Sequence, residues 1–241
     1  MRLFLESVLP ILVISPLMIF FIKDRSCIKT LILASIIFVV YQIVLKLPLE
    51  ISDLSLVKSK WNWSGKFYSI VFGVLVYLLL RRKIKPFDFI RLKQNYKMLT
   101  KTILLSTVPL GIAMFSYFDT SKAFDFETLV FQLTMPGIDE ELMFRAILLG
   151  LLLKSFKDKF TIFKINLGNP SVLFVALLFG LVHGIHVSNN LKVGFEFVSF
   201  SGSFTFGYIW GWVTLMSRSI LQAVVSHNLT NFIMSLLRMV N

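Results

Sequence analysis

The sequence contains few of the residues that soluble enzymes use for cross-linking and solvation. Cys27 is the only cysteine among 241 residues, so an intrachain disulfide is excluded, and no neighbouring histidine could activate this thiol as a nucleophile. Only 16% of the residues are charged, whereas a soluble domain carries about 25%. The chain has three histidines in all. The scarcity of charge therefore argues against a soluble domain, and the scarcity of histidine makes each histidine a candidate for chemistry.

Apolar residues take the place of the missing charge. They make up 56% of the chain, and phenylalanine alone contributes 25 residues. This composition indicates an all-α, polytopic transmembrane bundle that forms one integral membrane domain over residues 1–241, with the lipid bilayer as its surroundings. The net charge of +12 would suggest nucleic acid in a soluble protein. Basic residues of a membrane protein usually lie in cytoplasmic loops near anionic headgroups, so no nucleic-acid partner is predicted.

Eight stretches are apolar enough to be membrane helices, since about 20 helical residues cross a hydrocarbon core of about 30 Å. They are residues 3–22, 30–47, 67–80, 102–117, 138–153, 171–187, 198–216 and 220–240. The first is predicted to be retained, because it is too long for a signal peptide and lacks a small-residue cleavage site. We expect residues 1–101 to form N-terminal helices and residues 102–241 to form a catalytic core.

The loops between these stretches differ in positive charge. The odd-numbered loops hold 16 Lys and Arg residues and the even-numbered loops hold 5. We therefore expect a multi-pass protein of the cell membrane, or of the endoplasmic reticulum membrane in a eukaryote, whose orientation follows from the positive-inside rule. This rule places both termini outside and the loop of residues 81–101 in the cytoplasm.

Two further segments lie between the predicted spans. Trp61 and Trp63 precede the third span and are typical of anchors at the membrane interface. Residues 124–134 are apolar but few, and Pro136-Gly137 is predicted to break them from the next helix. The segment is therefore interpreted as a re-entrant or interfacial helix.

An acidic group begins the fifth predicted span. Ionisable side chains at bilayer depth are unfavourable and usually functional. Asp139 is predicted to cap this helix, where carboxylates suit the helix dipole. Glu141 and Arg145 are four residues apart and can pair, while Glu140 points about 100° away and stays available for chemistry. A capped helix start held by one ion pair, without chemistry, is the alternative interpretation.

The histidines lie in two further groups. His183 and His186 come late in the sixth span, and His227 and Asn231 share one face of the last span. Glu140 is a candidate general base, with His183 positioning or activating a water molecule. His227 and Asn231 are candidate donors for an oxyanion hole. Hydrogen bonding between helices is the alternative for each histidine, and Gly180 and Gly184 would let another backbone approach closely.

Together these motifs resemble the CPBP family of type II CAAX prenyl proteases and bacteriocin-processing membrane proteins, also called the Abi family. The resemblance is carried by Glu140-Glu141-x-x-x-Arg145, Phe179-x-x-x-His183 and His227-x-x-x-Asn231, in the family's order. The glycine-containing stretch with Gly207 and Gly211 is also similar, whereas Ala146 stands where many members have glycine. Residues 1–101 contain no diagnostic match.

The resemblance implies glutamate-dependent intramembrane proteolysis. It implies that the catalytic residues are Glu140, His183, His227 and Asn231, with Glu141 and Arg145 in support. His186 matches no family position and is the alternative if His183 is misassigned. The implied substrate is a prenylated CAAX protein that loses its C-terminal tripeptide, or a hydrophobic peptide precursor such as a leader, a pheromone or a bacteriocin. The predicted topology puts Glu140 and His183 nearer the outer leaflet, whereas a prenyl-protein protease should open toward the cytoplasm, so the side of substrate entry stays open.

Three alternatives follow from the same residues. Glu140, His183 and His227 could be zinc ligands, since catalytic zinc commonly has three protein ligands and a water. The chain lacks the His-Glu-x-x-His spacing, and Asn231 suits an oxyanion better than a zinc shell, so no metal and no other cofactor is predicted. A bacteriocin immunity protein would bind without chemistry. A proton-coupled transporter is disfavoured because no paired, inverted halves are visible.

Overall fold

A computed structural model of the chain describes residues 1–119, 121–162, 165–166 and 168–241, and Lys164, one of the basic residues counted in the fifth loop, lies outside them. The described residues form an all-α bundle, as predicted. Its helices are α1 (Arg2–Met18), α2 (Ile28–Glu50), α3 (Trp63–Ile84), α4 (Leu99–Ala113), α5 (Phe126–Glu141), α6 (Leu149–Ser155), α7 (Pro170–Gly184), α8 (Phe197–Ser217) and α9 (Leu221–Val240). A π-helical stretch, Leu142–Leu148, joins α5 to α6 without a break.

Two short antiparallel pairs of strands lie between the later helices. Strand β1 (Thr161–Ile162) pairs with β2 (Ile165–Asn166). Strand β3 (Ile185–Val187) pairs with β4 (Val193–Phe195), with His186 opposite Gly194. The sixth predicted span therefore ends at Gly184, and its last three residues belong to β3.

The outer surface of the bundle is apolar. Four helical segments are long and apolar enough to cross a membrane: Arg2–Phe21, Arg25–Glu50, Trp63–Phe87 and Tyr96–Phe118. Large side chains such as Leu12, Ile36, Leu79 and Phe115 are exposed on them. Apolar surface of this extent marks contact with lipid, so the chain is an integral membrane protein. The number of passes stays a prediction.

The centre of the bundle is the continuous helical run of residues 126–155. Met143, Ile147 and Leu149 in its second half are fully buried, as expected for a helix that is apolar on all sides. Beside it, α7 and α8 pack closely through glycine. A Cβ on Gly180 would lie 3.0 Å from the Phe200 carbonyl oxygen. The predicted close approach of another backbone at this glycine is thus confirmed.

The predicted break at Pro136-Gly137 is wrong, because α5 begins at Phe126 and runs through both residues. Residues 126–134 are therefore the first turns of the central helix and not a separate re-entrant segment. Gly137 donates its N–H to the side-chain oxygen of Asn228 on α9, at 2.7 Å. A neighbouring helix thus supplies an acceptor where proline interrupts the helix, which is how membrane helices tolerate proline. Asp139 is consequently a buried residue inside the helix and not its cap.

The true cap of α5 is Asp125. Its side chain accepts a hydrogen bond from the Thr128 N–H, which satisfies one of the free donors of the first turn. Lys60 also donates to Asp125, at 2.7 Å. The hydrogen bond from Lys60 is the main reason that the pKa of Asp125 falls to about 2.

Two tryptophans at or just before the start of α3 bind the beginning of α5. The indole N–H of Trp61 donates to the Thr128 hydroxyl at 2.7 Å, and that of Trp63 donates to Glu127 at 3.0 Å. These contacts hold α3 against α5, which matters because α3 contributes a residue to the site. The location of the tryptophans at the membrane interface stays a prediction.

Candidate active site

The four residues predicted to be catalytic line the same cavity, which has a volume of about 970 Å³. Glu140 comes from α5, His183 from the end of α7, and His227 and Asn231 from α9. The rest of the wall is largely apolar and includes Ile112, Phe115, Phe118, Val198, Phe206, Trp210 and Met234. A volume of this size accommodates a ligand at least as large as a drug molecule. Residues 91 positions apart in sequence thus converge, while their catalytic roles stay predictions.

Glu141 does not line the cavity, but it contacts two other site residues. It is completely buried, its Oε1 lies 2.9 Å from Nδ1 of His227, and its Oε2 lies 3.1 Å from Nε of Arg145. The predicted pairing of Glu141 with Arg145 is confirmed as an ion pair. Because a carboxylate can only accept, Nδ1 of His227 carries the hydrogen. The other ring nitrogen, Nε2, lies 3.9 Å from Oε2 of Glu140.

Arg145 is held by an aromatic ring as well as by Glu141. Its guanidinium is fully buried and lies 4.5 Å from the centroid of the Phe179 ring, a cation–π arrangement. It also donates to the carbonyl of Gly207 at 3.2 Å. A Cβ on Gly207 would lie 3.0 Å from the Phe179 ring and 3.3 Å from Arg145. The glycine in α8 therefore makes room for the supporting arginine.

Contacts of α9 with α8 and with α5 set the position of His227. The His227 ring stacks on Trp210 with 4.1 Å between centroids. The next residue, Asn228, accepts from the Gly137 N–H and donates to the Thr134 carbonyl at 3.2 Å. A Cβ on Gly137 would lie 2.7 Å from that Asn228 side chain. Pro136-Gly137, read from sequence as a helix break, thus serves as the docking point for α9.

Glu140 has a partner that the sequence reasoning missed. Lys66 on α3 places its Nζ 2.5 Å from Oε1 of Glu140 and 2.8 Å from Oδ2 of Asp139. Asp139 also accepts hydrogen bonds from Tyr41 at 2.8 Å and from Ser69 at 2.6 Å. The sequence did carry one signal for a second cation. Three adjacent acids at bilayer depth face a single arginine, and buried charges need compensation.

The second oxygen of Glu140 is differently placed. Oε2 is buried and has no hydrogen-bond partner among the residues that the structure describes. Glu140 therefore has one oxygen fixed by Lys66 and one that can accept a proton. Such an arrangement suits a general base, provided that its target comes within hydrogen-bond distance.

His183 and His186 have different surroundings. Nδ1 of His183 lies 2.7 Å from the Phe179 carbonyl oxygen, so it carries the hydrogen and Nε2 has the free electron pair. The His183 side chain is exposed and lines the cavity. His186 lies on β3, where its ring covers the backbone of Gly194, and it is not part of the cavity wall. The structure therefore brings His183, and not His186, to the site.

The donor set does not form an evident metal site. Within the described ranges, no group of three or more His, Cys, Asp or Glu side chains is arranged to hold a metal ion. Metal independence stays a prediction to be tested.

Comparison with known proteins gives one family match. Residues 122–233 match the sequence model of a family described as Rce1-like, type II CAAX prenyl endopeptidases. The matched range includes the predicted catalytic residues from Glu140 to Asn231 but not Lys66. No curated protein and no solved structure shows a significant similarity to the chain.

Proposed function

We propose that the chain is a CAAX-type intramembrane protease that removes the C-terminal tripeptide of prenylated proteins, because residues 122–233 match the Rce1-like family of type II CAAX prenyl endopeptidases. The observation that carries the proposal is the cavity lined by Glu140, His183, His227 and Asn231. Its aromatic and aliphatic wall suits an isoprenoid chain. Glu140, His183, His227 and Asn231 supply the polar groups for attack on a peptide bond.

Glu140 is proposed to activate the attacking water. Its Oε1 is held by Lys66 at 2.5 Å, so Oε2 takes a proton from the water while the water oxygen bonds to the scissile carbonyl carbon. Nε2 of His183 accepts the second hydrogen of the same water and orients it. The carbonyl oxygen becomes an oxyanion. When the C–N bond breaks, Glu140 returns its proton to the leaving amine.

His227 and Asn231 are proposed to bind the oxyanion. Nδ1 of His227 donates to Glu141, so His227 can donate from Nε2 only as an imidazolium. Oε2 of Glu140 lies 3.9 Å from Nε2 of this ring, and Oε1 of Glu141 lies 2.9 Å from Nδ1. The Asn231 amide is the second donor, and preorganised donors of this kind commonly contribute 10²–10³-fold to the rate, or about 2.7–4 kcal/mol.

The test is cleavage of a fluorogenic farnesylated CAAX peptide by the purified protein in detergent. We expect Glu140→Gln to lower kcat by roughly 10²–10⁴-fold and His227→Ala to lower it by roughly 10²–10³-fold. Glu50→Gln is the matched control, because Glu50 is a partly exposed carboxylate that pairs with Arg2 and does not line the cavity. Activity should persist with a chelator.

Three results would contradict parts of this proposal. Loss of activity with a chelator, restored by zinc, would make the enzyme a metalloprotease. Full activity of Glu140→Gln would remove Glu140 as the base. A wild-type protein that binds the farnesylated peptide without cleaving it would favour a binding role, such as bacteriocin immunity.

A further inference from the structure

The cavity continues along α9 beyond the predicted catalytic residues. Its wall includes five residues of this helix: His227, Asn231, Met234, Ser235 and Arg238. Residues three, four and seven positions apart lie on one helix face, so this wall is a single stripe. With a rise of 1.5 Å per residue, Arg238 lies about 10.5 Å along the helix axis from Asn231.

This separation matches the length of a tripeptide. An extended chain spans about 3.3–3.6 Å per residue, so three residues span about 10–11 Å. A peptide laid along α9 with its scissile carbonyl at Asn231 would thus bring its C-terminal carboxylate to Arg238. A chain with four residues after the scissile bond would overshoot this position by about 3.5 Å.

Arg238 has the chemistry to bind a carboxylate. Its Nη2 lies 2.5 Å from Oδ2 of Asp119. Its Nε is buried, and within the described part of the chain it has no hydrogen-bond partner. The main chain of Arg238 is held in place, since its carbonyl accepts from the Lys122 N–H at 2.7 Å. Because guanidinium presents several N–H groups in one plane, it can bind a second carboxylate beside or instead of Asp119.

The ion pair between Arg238 and Asp119 is exposed enough for another carboxylate to replace Asp119. The side chains of Arg238 and Asp119 are 30% and 46% exposed. An ion pair this exposed contributes little net stability. An incoming carboxylate can therefore compete with Asp119 for the guanidinium.

We infer that Arg238 forms a subsite for the free C-terminal carboxylate of the peptide substrate, and that it restricts cleavage to a bond three residues from a chain end. The inference rests on the proposed function and names the part of the substrate that this end of the cavity recognises. Arg238 lies outside residues 122–233, so the subsite is argued from this chain alone.

The experiment compares two farnesylated peptides that differ only at the C-terminus, one with a free carboxylate and one with an amide. For the wild type we expect kcat/KM to be roughly 10–100-fold higher for the acid, since hydrogen bonds to charged groups are the stronger ones. Arg238→Gln should lower kcat/KM for the acid peptide to the value for the amide peptide, mainly by raising KM. It should leave kcat/KM for the amide peptide almost unchanged. Arg218→Gln is the matched control, because Arg218 donates to the Pro86 carbonyl and does not line the cavity.

Two further arms separate the subsite from a structural effect. Asp119→Asn removes the competing carboxylate and should lower KM for the acid but not for the amide. Arg238→Lys keeps the charge and should retain part of the preference for the acid. If Arg238→Gln loses both activities because it fails to fold, these two variants still decide the question.

The outcomes distinguish the subsite from the proposed function. Equal cleavage of acid and amide by the wild type, or an unchanged preference in Arg238→Gln, overturns the subsite and leaves the protease intact. Cleavage of neither peptide by the wild type overturns the proposed function, and with it the subsite.

Discussion

Removing the charge of Lys66 tests whether the acidic cluster depends on a cation from another helix. The Lys66 ammonium lies 2.8 Å from Asp139 and 2.5 Å from Glu140, and all three side chains are at most 13% exposed. At an effective dielectric constant of about 20, each pair attracts by about 6 kcal/mol. Desolvation of the three charges offsets much of this attraction. We expect Lys66→Met to lower the free energy of unfolding by about 3–5 kcal/mol, because it leaves buried carboxylates without compensation.

The assay is denaturation of the purified variants in mixed micelles, followed by circular dichroism. Lys46→Met is the matched control, since Lys46 pairs with Glu6 at 2.8 Å but both side chains are partly exposed. The free energy of unfolding of this variant should fall by at most about 1 kcal/mol. The double variant Lys66→Met with Asp139→Asn removes one charge of each sign, so it should recover most of the lost stability. Its kcat should stay low, because Oε1 of Glu140 is no longer held.

Two outcomes would refute this reasoning. If Lys66→Met unfolds at the same denaturant concentration as the wild type, the cluster does not need the lysine. If the double variant is no more stable than Lys66→Met, the loss comes from packing of the lysine chain and not from its charge.

Two further predictions concern the residues that hold the site. Gly137→Ala should lower the free energy of unfolding by about 1–3 kcal/mol, because the new Cβ would lie 2.7 Å from the Val224 carbonyl oxygen. Gly111→Ala is the control, since nothing lies within 4 Å of a Cβ at that position. Equal stability of the two variants would contradict the close docking of α9. Arg145→Lys should lower the free energy of unfolding by about 1–3 kcal/mol, because it loses the Phe179 stack and the planar fork. The control Arg82→Lys, at an exposed position, should change it by under about 0.5 kcal/mol, and similar values for both variants would refute the stack.

Much of the fold follows from local pattern. The apolar stretches predict the helices to within a few residues at most ends, because a membrane helix satisfies its own backbone hydrogen bonds and needs only an apolar length. The pair Glu141–Arg145 could also be predicted from the sequence, since residues four apart are neighbours on any helix. The exception is the segment around Pro136-Gly137, where the local signal indicated a break that the structure does not have.

The candidate site depended on contacts between distant segments. The motifs identified Glu140, His183, His227 and Asn231 as a set, but their order along the chain does not show that one cavity joins them. Lys66 was counted among loop residues, because its partners lie more than 70 positions away in the sequence. Its role could be anticipated only from the excess of buried acids.

The amino-acid sequence by itself determined that the chain enters a membrane, where its helices form and which polar residues lie in them. These properties depend on composition and on spacings of a few residues, so they need no knowledge of packing. Only the tertiary structure decided that Lys66 compensates the charges of Asp139 and Glu140. It also showed that Asn228 accepts a hydrogen bond from the Gly137 N–H, and that Arg238 lies at the far end of the cavity. The physical reason is that a buried charge or an unpaired backbone group is tolerated only where another helix supplies its partner, and that partner is chosen by packing.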